Sequence, residues 1–521
     1  MRARLLTIKN PPSSRQRGYA TIFTLLLFVA VALVVFSIYD VGQTNTDKVR
    51  LQNAADAAAY SGANMMARDF NFMAYTNRAM VANQAAIGQV IGMASWTAQI
   101  DKTTENIRRV SNVAAAIPVV GPIVRGAAQV LDQVTDILNR VVERVGAVLI
   151  SGLDAVNFGL SRAQLGHHGA TLATAPNTLS AVLQENDPDA RLGLAGNALF
   201  WENFFEAWEG YVSHNKHDRG LPRRGERRDF MVERFEEFTE IVNHSTDDFT
   251  HERNKRWLDP PTGFLGVRGR MDKRGGNEFE MRDNRARNRL EWNWSAMDTE
   301  SFWIDHKGCG MLGFSWCGYN EILPVGWGAA HGKDHETFSR RFIYRPSNKW
   351  GDAWHNSTSA GLASVQFATN NIRKISGLKG YYDFARDKDP KYNADLEPGD
   401  TSDGPSLGVF AHKRASDITT TRTLADKHEG FPDSAALDVE EQGGAASNMI
   451  GALSRAELYF KRPSNLWPKR GTREGRYVGK REHGNLYNPY WQVRLTEPTS
   501  VQRAVAVARA FGLSNLSFMN N

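Results

Sequence analysis

Two histidines four positions apart, His331 and His335, stand with Asp334 and Glu336 in HGKDHE and are the side chains of this chain best spaced for metal chemistry. A helix would set both imidazoles on one face, where a divalent ion would bridge them. Gly332 weakens such a helix, and the glutamate that a zinc protease carries directly after its first histidine is missing. Solvated loop residues and no metal are therefore expected. His244 and His251, seven apart on an expected helix beside Asp247 and Asp248, read as surface residues with no role. Gly308, Gly310 and Gly313 spell the GxGxxG of a dinucleotide site, but Phe314, Ser315, Trp316 and Cys317 follow where a helix should begin, and no strand–helix repeat surrounds them. A GxSxG elbow and a GxxxxGK[ST] phosphate loop are both missing. The sequence predicts no catalytic residue and no cofactor.

The two cysteines, Cys309 and Cys317, lie eight positions apart. In an oxidising compartment they would close a hairpin-like loop, worth about 2–3 kcal/mol on a chain-entropy argument. Inert buried thiols are the alternative, and zinc would need two ligands from elsewhere. The stretch Val267–Leu290 is rich in arginine, yet acids interleave it, so a solvated loop or a charged contact face is expected rather than a nucleic-acid surface. Trp292, Trp294 and Trp303 follow it, as core or as an exposed aromatic surface. The whole chain holds 63 lysines and arginines against 57 acids, and five of those bases (Arg2, Arg4, Lys9, Arg15, Arg17) precede residue 18. Without those five, 58 bases face 57 acids. The pI of about 9.1 is thus largely a property of the tail and argues against a nucleic-acid partner.

That basic tail leads into an uncharged apolar run, Tyr19–Tyr39, which Asp40 ends. As a helix the run reaches roughly 30 Å, the thickness of a bilayer's hydrocarbon core. Bases before it and acids after it predict a cytoplasmic N-terminus and an exported remainder. A cleavable secretory signal would have a shorter apolar region and a small-x-small cleavage site; Phe36, Ser37, Ile38, Tyr39 and Asp40 match this poorly, so an uncleaved anchor is expected.

Beyond the anchor, Thr44–Arg68 lacks proline and favours helix, and Ala54, Ala58 and Gly62 share one face at a spacing of four. Small side chains there let a second helix come close, either within the chain or from another subunit. Helical patterning continues from Met73 to Ile107, and IPVVGP at Ile117–Pro122 breaks it. From Val124 to Leu160 the residues Leu131, Val134, Leu138, Val141, Val145, Val148 and Gly152 alternate spacings of three and four, an amphipathic stripe close to a heptad. Such a stripe would pair with another subunit or, as expected here, join the chain's own core. Asn197–Val212 and Asp229–Val242 read as helices. Phe338–Tyr344, Ser364–Thr369, Leu407–Lys413, Ala456–Lys461 and Trp491–Leu495 read as short antiparallel strands, with a loop at 397–406 and a last helix from Ser500 to Phe511. The fold class expected is α+β, with a single transmembrane helix continuing into a long helix. The expected division is a basic tail (1–18), a span (19–39), an Ala-rich helix (40–110), a helical region (111–215) and an α+β body (216–521).

Arg17 and Gly18 before the span, Asp40, Val41 and Gly42 after it, and then the string RLQNAADAAA from Arg50 to Ala59 together resemble the N-terminal region of TadG-like proteins of the tight-adherence (Tad/Flp) pilus-assembly system, over residues 15–63. The resemblance implies an envelope protein anchored in the bacterial inner membrane with its body in the periplasm. It implies other pilin or pilus-assembly subunits as partners, with an outer-membrane channel as a further candidate. Minor pilins of that system are cut after a glycine and carry glutamate at the fifth mature position. Gly18 sits where that cut would fall, but the fifth residue after it is Phe23, so the tail is expected to be retained. The Asp-x-Ser-x-Ser metal motif of longer relatives is missing. A non-catalytic structural or assembly component is the expected function. The alternatives are a membrane-tethered periplasmic enzyme or ligand-binding protein, and a filament-tip adhesin.

Overall fold

No proline lies between Pro12 and Pro118, and in the computed structural model one helix, α1, runs unbroken from Arg17 to Ala114. The structure describes residues 17–114, 121–192, 205, 207–216, 221–257, 267–306, 318–334, 370–371, 374–389, 403–421, 423–424, 449–461, 484–500 and 503. The break expected at the prolines is present: a second helix, α2, starts at Gly121 and extends to Asn186 with Pro176 inside it. The two helices form an antiparallel hairpin. Asn83 Nδ2 donates to Asn157 Oδ1 at 2.9 Å, Gln164 Nε2 to Asn77 Oδ1 at 2.7 Å, and Arg50 Nε to the Asn186 carbonyl at 3.2 Å.

Strands β1 (Arg191–Leu192) and β2 (Val212–Asn215) follow, then α3 (Glu226–His244) and the four-residue α4 (Asp248–His251). Phe235, Phe238 and Val242 of α3 are buried, as the spacing in Asp229–Val242 requires. Of the helix expected over Asn197–Val212, residues 205 and 207–209 are helical, Val212 begins β2, and the rest lies largely outside the described residues. One expectation fails here: His244 and His251 do not share a helix, because the chain leaves α3 at Ser245 and restarts at the Asp247 cap, whose side chain accepts from Thr250 N.

The sheets begin earlier than expected. The arginine-rich stretch is not a loop: after β3 (Lys255–Trp257), strands β4 (Val267–Asn284) and β5 (Arg289–His306) form a long antiparallel hairpin. It turns through Arg285–Arg287 and Asn288, whose φ of 51° is the left-handed conformation that asparagine tolerates. Strand β6 (Gly318–Lys333) pairs antiparallel with β5, and the two-residue β7 (Asn370–Asn371) adds in parallel. The order of this five-stranded sheet is β3-β4-β5-β6-β7. Strand β8 (Tyr381–Phe384) pairs with β2. Strands β9 (Asp403–Arg414), β10 (Met449–Phe460) and β11 (Trp491–Thr496) join β1 in an antiparallel sheet ordered β1-β9-β10-β11. These three contain the strands expected at Leu407, Ala456 and Trp491; those expected at 338–344 and 364–369 lie outside the described residues, as does most of 500–511. The architecture is a long apolar-ended helix joined to a mixed body of helices and largely antiparallel sheets.

Two apolar cores form along α1. Leu51 to Met73 pack with the α2 residues Leu179 and Leu183 and the four-stranded sheet, while Met80 to Ala94 pack with α3 and the five-stranded sheet.

Candidate anchor and assembly surfaces

Among the described residues the apolar end of α1 is left unpacked. Its most apolar window is wholly unburied, and Phe28 is 75% exposed. Asp40 is buried, its carboxylate accepting from Thr421 N at 2.7 Å and Thr421 Oγ1 at 2.6 Å, while Val41 and Val49 are still exposed and continuous packing begins at Leu51. Two turns on from Asp40, Asp47 and the fully buried Asp187 grip the Lys413 ammonium at 2.8 and 3.2 Å, tying α1, the end of α2 and β9 together. Burial alone would pull Lys413 down, but these hydrogen bonds carry it above its ordinary value.

The small-residue face is filled from within the chain. Ala54 and Ala58 are fully buried in the core shared with α2 and the four-stranded sheet. A Cβ on Gly62 would stand 2.6 Å from Leu407 Cδ2 and 3.2 Å from Leu179 Cδ1. The same device recurs further along α1. A Cβ on Gly328 of β6 would come within 2.1 Å of the Ser95 carbonyl oxygen and 2.3 Å of Gln99 N, and one on Gly88 within 2.6 Å of the Trp294 ring. Glycines thus let α1 lie directly on both sheets.

Several polar side chains along α1 and the sheets are tied by hydrogen bonds across the chain. Asp69 accepts from Trp208 Nε1 at 3.1 Å and meets His167 Nδ1 at 3.0 Å and His168 Nδ1 at 2.6 Å. Asn71 exchanges two 3.0 Å hydrogen bonds with the Trp491 backbone. Behind β4, Asp298 receives both arms of Arg253, at 2.9 and 2.8 Å, and Lys273 at 2.8 Å. Burial would raise this carboxyl, but Arg253 and Lys273 hold it below the usual carboxylate range.

His331 is not a loop residue. It lies in β6 opposite Ser295, is buried, and among the described residues has no hydrogen-bond partner on either ring nitrogen; burial, helped by Lys333, pushes its pKa down to about 4. Asp334 is buried close by, and His335 and Glu336 lie outside the described residues. Among the described residues no group of three or more His, Cys, Asp or Glu side chains is placed to hold a metal ion. Cys309 and Cys317 also lie outside the described residues, but the connection that carries them starts and ends at paired positions, His306 and Gly318. Trp292 and Trp294 are core, with Trp294 stacked on Phe279 at 4.8 Å.

Sequence reading missed the Asp69 and Lys413 clusters because their partners are 98 to 366 positions apart. The Gly-Trp-Gly at 326–328 was a legible sign of close backbone approach.

An apolar segment long enough to cross a membrane opens the helix on which the body is built, and the body is of mixed α+β architecture. Within that helix, residues 18–65 match the family described as "Tad: Putative Flp pilus-assembly TadE/G-like", which ties the start of the chain to Flp pilus assembly. No curated protein and no solved structure matches the chain.

Proposed function

We propose that this protein is a non-catalytic structural or assembly component of a Tad/Flp-type pilus apparatus, held in the inner membrane by residues 19–39 with its N-terminus cytoplasmic and its body periplasmic. The observation that carries the reading is the coincidence of the matched segment, residues 18–65, with the stretch of α1 that passes from exposed apolar side chains to fully buried ones. An apolar helix surface of that length has no counterpart in water and fits a bilayer. Beyond it, α1 serves as the spine on which both sheets are mounted, so the membrane anchor and the periplasmic body form one mechanical unit. Pilin and pilus-assembly subunits are the partners proposed, with the outer-membrane channel a further candidate for the distal end.

Protease added to spheroplasts tests the topology. Digestion of the body, with an N-terminal epitope tag protected until the cells are lysed, is the expected result. A protected body with an accessible N-terminus overturns the reading.

A further inference from the structure

The heptad-like stripe of α2, expected to be intramolecular core, turns outward where it is described. Val141, Val145, Val148, Leu149 and Val156 are between 48% and 72% exposed. The opposite face of α2 is the one spent on the chain itself: Ile150, Asn157 and Gln164 are buried. A solvent-facing helix surface is ordinarily polar. These five side chains expose on the order of 500 Å², at the upper end of what a monomer carries without a partner. Among the described residues, nothing lies within 4 Å of a Cβ added at Gly152 or Gly159, which continue the same face.

The fold says what kind of partner suits this face. Asn157 lies beside Asn83 of α1, over forty residues past Asp40. Along a helix that is about 65 Å beyond the end of the span, out of reach of the lipid that holds the anchor. A protein must cover the face. Two copies anchored in one membrane stand the same way up, so their α2 helices run parallel and a two-fold axis along the membrane normal brings each residue against its own counterpart. An apolar row alternating three and four, 141-145-148-152, is self-complementary in that arrangement. Two such faces together bury on the order of 1,000 Å², the threshold for a specific interface, and confinement to a membrane raises the local concentration.

We infer that the outward face of α2 is the seam through which two copies of this chain pair, parallel and in register. The inference rests on the proposed membrane anchoring.

Cysteine crosslinking of the full chain in native membranes tests it, with two differently tagged copies co-expressed. Val148→Cys and Val145→Cys give an oxidant-dependent adduct carrying both tags, at twice the 58.1 kDa of one chain. Neither the wild type, with its own two cysteines, nor Ser245→Cys, exposed at the end of α3 and away from α2, gives that adduct. Adding Val145→Asp to V148C abolishes the adduct while the body keeps its protease resistance. An adduct containing a different protein, or none in membranes that retain the chain, overturns the pairing. Loss of the chain from carbonate-washed membranes instead overturns the anchoring, whatever the crosslink shows.

Discussion

Lys413 shows how single side chains hold this molecule. Its ammonium is buried between Asp47 and the fully buried Asp187. Replacing it with methionine leaves a buried carboxylate without its cation, a change that costs about 3–5 kcal/mol. Urea denaturation of Lys413→Met should show that loss, and Asp187→Asn added to it should recover part of it. A loss below about 1 kcal/mol would mean that the cluster behaves as a screened surface pair. The buried imidazoles act through pH. His331 and His214 are held near pKa 4, chiefly by burial, with Lys333 acting on the first and Lys216 and Arg162 on the second. Because the unfolded chain takes up these protons at the ordinary value of 6.5, stability is full above that pH and falls as pH drops towards 4. Asp383 has the opposite sign: burial, countered in part by Arg234, raises it to about 6, so it returns some stability over the lower part of the same window. Urea midpoints between pH 7 and 4.5 should therefore fall, and His331→Asn should flatten the slope by up to about 1.4 kcal/mol per pH unit. An unchanged slope would show that His331 titrates normally.

At the scale of elements, the glycines of β6 decide whether the five-stranded sheet can seat on α1. Leu407 beside Gly62 is a side chain with some freedom, whereas Gly328 faces the backbone of Ser95 and Gln99, which cannot move without breaking the helix. Gly328→Ala should thus lower stability by at least the about 1–3 kcal/mol typical of overpacking, and more than Gly62→Ala does. Equal effects, read by thermal unfolding, would show that α1 and β6 separate freely. These contacts also explain what the sequence revealed. The helix from Arg17 to Ala114 was legible because it lacks proline and repeats small and apolar residues at helical spacing, and β9, β10 and β11 were legible by their alternation. The hairpin β4–β5 was not: it is rich in charge and glycine, and its strand character comes from pairing with neighbours that only the fold supplies. Lys273 and Asp298 of the hairpin pair with each other and with Arg253 from before β3, so charged residues that look solvated in sequence are taken into the packing. Ala54, Ala58 and Gly62 were read as a close-contact face, but spacing alone does not say whether the contact belongs to the same chain, and here Leu179 and Leu407 occupy it.

For the whole molecule, Asp40 follows the unpacked apolar run of α1 and is bonded into the body. Before it no apolar side chain of the span's window is buried; from Leu51 onward nearly every turn of α1 contributes to a core. The span then adds nothing to the folding free energy of the body, while Asp40 itself, bonded to Thr421, belongs to the body. A chain that begins at Asp40 behind a cleavable secretory signal should be released as a soluble periplasmic protein. Its unfolding free energy should match that of the detergent-extracted full chain to within about 0.5 kcal/mol, the ordinary range of changes that touch no packed feature. The same material reports on Cys309 and Cys317: peptide mapping without reductant should recover them as one linked pair, and mapping with reductant as two separate peptides. Should the truncated chain aggregate or unfold, the apolar run packs against the body rather than against lipid, and the anchored spine proposed above fails with it.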